Sequence, residues 1–267
     1  MTSEQPAPTG TTDEIRLLWG GHGPGPARRG PRPKLTRGEI VTAAVRLADT
    51  EGIEAVSMQR VAAVLGYTTM SLYRYLDSKD DLLLLMADAA MAATPPGPRE
   101  DGDWRAGLEE WCLEVVALYR AHPWMVRLPV TGPPSGPNGV RWMESGLREL
   151  SAPGLSAAES VQMLLVLNTV LRETLRMEFE MAESARRQGT RIGDNEGAWA
   201  QGLLGVLDPA AFPTVISVLA HLEADEQETV DTRFDPGSVG GPAEGLGFGI
   251  DRILDGIQTY VDGRAAN

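Results

Sequence analysis

Between residues 36 and 91 apolar positions recur at three- and four-residue intervals, in four short runs separated by glycines or capping residues. Ile40, Ala44, Leu47 and Ala48 share one helical face, with Val41 and Val45 beside it. Thr36-Arg37-Gly38-Glu39 ahead of them is a capping box, in which the Thr hydroxyl accepts a backbone N–H and Glu39 reaches back; Gly52 closes the helix. Ser57 opens a shorter helix with Val61, Val64 and Leu65 turned inward, stopped at Gly66. A third helix is predicted from about Thr68 to Leu76, and Ser78-Lys79-Asp80-Asp81 caps a fourth whose Leu82, Leu83, Leu85 and Met86 are inward by pattern. Thr94-Pro95-Pro96-Gly97-Pro98 then breaks the chain.

Downstream the pattern stays helical. It predicts helices over Trp104–His122, about Asn138–Ser151, Ser156–Arg187, Trp199–Leu207, Pro209–Glu228 and Ala243–Val261, with loops over Val130–Gly139, Gln188–Gly197 and Asp235–Pro242. Ser156-Ala157-Ala158-Glu159 is a second capping box opening an unusually long helix. No strand pattern or internal repeat stands out, so the expected fold class is all-α. Residues 1–34 read as a disordered arm, because Gly21-His22-Gly23-Pro24-Gly25-Pro26 and Gly30-Pro31-Arg32-Pro33 cannot continue a helix or sheet. Within that arm Ile15, Leu17, Leu18 and Trp19 form an apolar patch able to dock elsewhere. Three parts are therefore expected: the arm at 1–34, a small helical domain at 35–94 and a larger one at 95–267.

Charge changes this picture. The chain carries a formal net charge of −13, the wrong sign for a nucleic-acid binder, but the charge is unevenly divided. From Ala27 to Lys79 there are nine Lys/Arg against five Asp/Glu, whereas from Thr94 onward there are 14 against 26. A basic module on an acidic body suits phosphate contact by one end only, although chance variation in surface charge produces similar numbers. The single cysteine, Cys112, allows no internal disulfide. No leader is read at the N-terminus and no apolar run is long enough to span a bilayer, so a cytoplasmic protein with no membrane partner is expected. His22, His122 and His221 stand far apart with no metal-ligand spacing, and no nucleophile elbow or phosphate loop is present. These absences point away from an enzyme and leave no cofactor or metal to expect.

The three short helices have the proportions of a helix-turn-helix. Its second helix needs apolar residues at helical spacing, and its turn needs a residue tolerant of positive φ, which Gly66 supplies. Its third helix must present small polar groups to base edges. Thr68, Thr69 and Ser71 are small enough, Met70 suits a thymine methyl, and Leu72 and Leu76 anchor the opposite face. This reasoning alone does not separate base contacts from phosphate contacts.

The run from Ala55 through Gly66-Tyr67-Thr68-Thr69-Met70-Ser71-Leu72-Tyr73-Arg74-Tyr75 to Lys79 and Leu82 resembles the DNA-binding domain of the tetracycline-repressor (TetR) family, over roughly Leu35 to Met91. Ala121-His122-Pro123-Trp124 and Phe248-Gly249-Ile250-Asp251-Arg252-Ile253-Leu254-Asp255-Gly256 are similar to the C-terminal domain of the tetracycline repressor's own branch. The resemblance implies a homodimeric, ligand-responsive repressor of a double-stranded DNA operator; an activator on the same scaffold is the alternative, and an enzyme or architectural DNA-binding protein the more distant ones. It implies that Thr36, Arg37, Tyr73, Tyr75 and Lys79 meet phosphates, and that Thr68, Thr69, Met70, Ser71 and Arg74 face the major groove. Tyr73 and Tyr75 also suit packing inside the small domain. The basic arm of Arg28, Arg29, Arg32 and Lys34 departs from shorter family members; it suits minor-groove or backbone contact, or a solvated tail.

A small-molecule effector needs a pocket. Trp104 and Trp111, seven apart on one helical face, join Trp124, Trp142 and Met163 as large apolar candidates, and Asn168 and Arg172 on the long helix are polar groups suited to orienting a ligand. Each also suits ordinary core packing. In the last predicted helix Gly245, Gly247, Gly249 and Gly256 each carry a helix penalty of up to about 1 kcal/mol, for which close helix approach is one reason. The resemblance implies a four-helix dimer bundle, assigned to Ala157–Glu183 and Ala243–Tyr260; a loop over Gly245–Gly249 before a shorter helix is the simpler alternative.

Overall fold

A computed structural model of the chain describes residues 9–20, 35–130, 132–224, 233 and 245–265. Among the described residues there are eleven α-helices and no strand. They are α1 (Thr9–Trp19), α2 (Arg37–Glu51), α3 (Met58–Leu65), α4 (Thr69–Leu72), α5 (Lys79–Ala90), α6 (Trp104–Ala121), α7 (Pro137–Ser151), α8 (Ala157–Gln188), α9 (Ile192–Leu204), α10 (Pro213–Ala224) and α11 (Leu246–Ala265). The chain divides into two compact units, Met1–Leu164 and Leu165–Asn267, with the boundary inside α8. The motif division expected at 94/95 thus falls within the first unit.

In that unit the local signals act as read. Thr36 Oγ1 accepts the Glu39 N–H at 3.2 Å while Glu39 Oε2 accepts the Thr36 N–H at 2.7 Å, completing the capping box. Ser57 and Ser78 cap α3 and α5, and Asp81 completes a box at α5. Gly66 stands in the left-handed region at φ +74°, where its N–H and that of Tyr67 turn back onto the last carbonyls of α3. Ile40, Val41, Ala44, Leu47, Ala48, Met58, Val61, Ala62, Leu72, Leu76, Leu82 and Met86 form the small core.

Four expectations are corrected. Thr9–Trp19, read as part of a disordered arm, is the helix α1, and its apolar patch is docked: α1 packs on α5 with Leu18 buried. Val64, expected inward, is 55% exposed. The eight-residue α3 turns Met58, Val61 and Ala62 to the core, and Val64 lies off that arc. The third helix is a single turn, Thr69–Leu72; the Tyr75 and Leu76 N–H groups both close on Leu72 O, tightening the chain before Leu76 is buried. Finally, α9 starts at Ile192, inside the segment expected as a loop up to Gly197. Gly189, at φ +70°, ends α8, and the glycine- and asparagine-bearing run that follows is helical despite its low propensity, which tertiary context commonly overrides.

In the second unit α8 buries Leu167, Leu171 and Leu175 at four-residue intervals, and α11 buries Leu246, Ile250, Leu254 and Ile257. The helix α11 begins at Leu246, so Gly247, Gly249 and Gly256 are helical. The helices α9 and α10 pack on each other. The segment Asp235–Pro242, expected as a loop, lies outside the described residues, as do Arg28, Arg29, Arg32 and Lys34.

Candidate nucleic-acid interface

The turn at Gly66 delivers Thr68 as the N-cap of α4 without committing its hydroxyl to the helix; Thr68 Oγ1 lies 2.9 Å from Ser71 Oγ instead. Behind these groups Leu72 is fully buried and Leu76 nearly so, so the single turn is set rigidly on the core. In front, Thr68 and Arg74 are exposed, Thr69 and Ser71 half-buried, and Met70, at 74% exposure, is a large apolar side chain left in solvent. Tyr73 is exposed and Tyr75 half-buried. Thr68, Thr69, Met70, Ser71, Tyr73 and Arg74 therefore share one short stretch of accessible surface backed by two leucines. Thr36 and Lys79 stand exposed at the starts of α2 and α5, where unpaired N–H groups favour anions. Arg37 is half-buried and its Nη1 donates to Leu17 O at 3.3 Å, a contact with α1 that sequence reasoning missed.

The aromatic candidates in the larger part are placed differently. Trp111, Trp124 and Trp142 are buried, and each indole N–H is used inside the protein. Trp111 Nε1 donates to Trp142 O at 3.0 Å, Trp142 Nε1 to Met91 O at 3.1 Å, and Trp124 Nε1 to Asp49 Oδ1 at 2.7 Å. Trp104 and Met163 in the first unit, and Asn168 and Arg172 in the second, are half-buried.

Two family models match the chain. One, described as bacterial regulatory proteins of the tetR family, matches residues 40–86, which span α2 to α5; the other, described as tetracyclin repressor-like, C-terminal domain, matches residues 96–261. The chain belongs to the TetR family. It is a helix-turn-helix DNA-binding transcriptional regulator. The HTH-type transcriptional repressor DrrR1 of Streptomyces coeruleorubidus is 36% identical over 249 residues, covering 92% of this chain and 85% of that protein. The HTH-type transcriptional repressor Rv1353c of Mycobacterium tuberculosis is 25% identical over 248 residues, covering 90% and 86%. Among solved structures, apo ActR of Streptomyces coelicolor superposes with a TM-score of 0.68 at 23% identity, over 88% of this chain and all of that one. ActR in complex with actinorhodin gives 0.66 at 24%, over 84% and 95%. These superpositions show the TetR fold. Among the described residues no helix is long and apolar enough to cross a membrane.

In this TetR-family chain the helix-turn-helix is joined to α6 and α7 through two carboxylates that the sequence did not mark. Asp49 on α2 accepts from Trp124 Nε1 and stands 2.8 Å from His122 Nδ1, in the short turn after α6. Asp88 on α5 caps the start of α7: its Oδ1 accepts the Asn138 and Gly139 N–H groups at 3.0 Å each, and the Asn138 amide donates to Asp88 O at 2.9 Å. A Cβ added at Gly136 would collide with the Asp88 carboxylate, so glycine there lets α7 approach. Ser145 Oγ and Arg148 Nη2 both donate to Pro96 O, at 2.7 and 2.9 Å, fixing the link between α5 and α6. Arg127 adds an ion pair to Glu54 at 3.1 Å.

Proposed function

We propose that the chain acts as a homodimeric repressor that reads a pseudo-palindromic operator and is released by a small-molecule effector. Residues 35–94 do the reading and residues 95–267 the sensing and pairing. The observation that carries the reading is the accessible Thr68–Arg74 stretch standing on buried Leu72 and Leu76. Thr68, Thr69, Ser71 and Arg74 meet base edges and Met70 a thymine methyl, while Thr36, Arg37, Tyr73, Tyr75 and Lys79 meet phosphates. Two such turns in a two-fold dimer enter successive major grooves. The faces for pairing are Ala157–Glu183 and Ala243–Tyr260.

The effector half is supported by fold: ActR is known in complex with actinorhodin and with (S)-DNPA. Trp104 and Met163, and separately Asn168 and Arg172, retain accessible surface and are the positions to substitute once an effector is in hand. Trp111, Trp124 and Trp142 instead hold α6 and α7 to each other and to α2 and α5.

Footprinting on DNA upstream of the gene and its neighbours, with a salt titration, tests the reading. A protected pseudo-palindrome with steep salt dependence is expected. Arg74→Ala should then weaken specific binding by about 1–3 kcal/mol and relax one base position, whereas Lys79→Ala should weaken all sequences alike and lower the salt slope by about one. Binding with no defined site, unchanged by Arg74→Ala, would remove α4 from recognition.

A further inference from the structure

We infer that α1 is a strap that sets how strictly the dimer measures the distance between operator half-sites. The inference rests on the two-half-site reading above, and comes from three consecutive residues at the end of α1 that engage three different parts of the first unit. Leu17 O accepts from Arg37 Nη1 at 3.3 Å, tying α1 to the first turn of α2. Leu18 is 4% exposed, and the helix that carries it packs on α5. Trp19 Nε1 donates to Ser135 O at 2.8 Å, in the connection that leads into α7. The Leu18 and Trp19 side chains point about 100° apart, and the Leu17 carbonyl points along the axis out of the C-terminal turn, so the three contacts diverge.

The strap crosses a joint that is already made by several polar contacts, the Arg127–Glu54 ion pair and the Trp142 bond to Met91 O among them. Asp49 and Asp88 bind α2 and α5 to the turn after α6 and to the start of α7. None of these contacts engages α1. The strap adds a separate contact set, from α2 over α5 to Ser135, that resists tilting of the helix-turn-helix. To turn the head against α6 and α7 the molecule must break Trp19–Ser135, break Arg37–Leu17 or expose Leu18. Arg37 is also a residue assigned above to phosphate contact, so the strap holds a DNA-facing side chain before DNA arrives. Holding both heads at one tilt makes half-site separation a selected quantity, because the separation of the two recognition elements must match the helical repeat.

The experiment compares the full chain with a Δ2–20 variant, which retains Arg28, Arg29, Arg32 and Lys34, and with the Leu18→Glu/Trp19→Phe double variant, which undocks α1 without shortening the chain. Each is bound, at one salt concentration, to the footprinted operator and to versions with one base pair added or removed between half-sites. Thermal melting of each variant is recorded alongside. The intact chain is expected to lose about tenfold or more on the respaced DNAs. The strapless variants should keep the native operator within about threefold and lose no more than about threefold on the respaced ones. A respacing penalty equal to that of the intact chain would overturn the inference. So would an equal loss on all three DNAs, which marks α1 as a DNA contact or a stability element. If Δ2–20 does not melt cooperatively, the double variant and Trp19→Phe alone decide by the same ratio. An intact chain that protects no paired half-sites would instead defeat the dimeric reading, and the inference with it.

Discussion

In the first unit a Cβ added at Gly146 would stand 2.5 Å from Leu164 Cδ1 and 3.1 Å from the Trp111 ring; in α11 a Cβ added at Gly249, Gly256 or Gly263 would meet nothing within 4 Å. Gly107 is crowded in the same way as Gly146, by the Glu149 carboxylate. Glycine at positions 107 and 146 is thus explained by packing within one chain. Glycine inside α11 costs about 1 kcal/mol per residue in helix propensity, and at 249, 256 and 263 it gains no close neighbour among the described residues. Large apolar side chains are also left in solvent on α8 and α11: Phe248 is 66% exposed on α11 and Leu165 62% exposed on α8, with Val161, Val166 and Tyr260 also exposed. One region is finished by its own side chains, and the other has the composition of a surface finished by another molecule. Under the proposed dimer, that molecule is a second copy.

The largest expected effect breaks this comparison directly. Leu165→Glu with Phe248→Glu should turn a dimer into a monomer in sedimentation velocity and lower operator affinity by about 100-fold or more, since two charges replace central apolar contacts. An unchanged dimer would make these faces ordinary solvent surface. Next, Gly146→Ala should lower unfolding free energy by about 2 kcal/mol through overpacking against Leu164 and Trp111. Its counterpart Gly256→Ala should leave the single-chain fold unharmed or up to about 1 kcal/mol more stable, while weakening dimerisation. Matching losses at both glycines in denaturant titrations would erase the distinction between the regions. Asp88→Ala removes the cap of α7 and should cost about 1–2 kcal/mol, with the α5–α7 contact loosened in hydrogen exchange.

The smallest effect is confined to alkaline solution. Burial pushes the Cys112 thiol up to about 12 from an ordinary 9.0. Above pH 9 the unfolded chain releases this proton and the folded one retains it, so the folded state is progressively disfavoured between pH 9 and 12. Below pH 9 the group contributes no pH dependence. Cys112→Ala should flatten that alkaline slope, and alkylation of native Cys112 at pH 8 should be far slower than in the unfolded chain.

The regions also differ in how much the sequence disclosed. Capping boxes at Thr36 and Ser78, the cap at Ser57 and the left-handed Gly66 are local devices, complete within four residues, and they make the helix-turn-helix legible in the sequence. Leu72 and Leu76 followed from spacing. The joint was invisible for the opposite reason: Asp49 finds His122 and Trp124, and Asp88 finds Asn138, more than 49 positions along the chain. Trp111 and Trp142 read equally well as ligand-facing aromatics because nothing local specifies where an indole N–H goes. The helix α1 was hidden by glycine and proline on its C-terminal side, which masked a helical run whose partner surface lies on α5.

The contact between Arg37 and Leu17 O also closes a ring of backbone. Its two fastenings stand 20 positions apart in the sequence, and one guanidinium joins the carbonyl end of α1 to the first turn of α2. The Arg37 guanidinium is thereby parked on α1 at the helix start that is proposed to meet DNA. Cutting α1 away would return that side chain to solvent and to its full rotamer freedom.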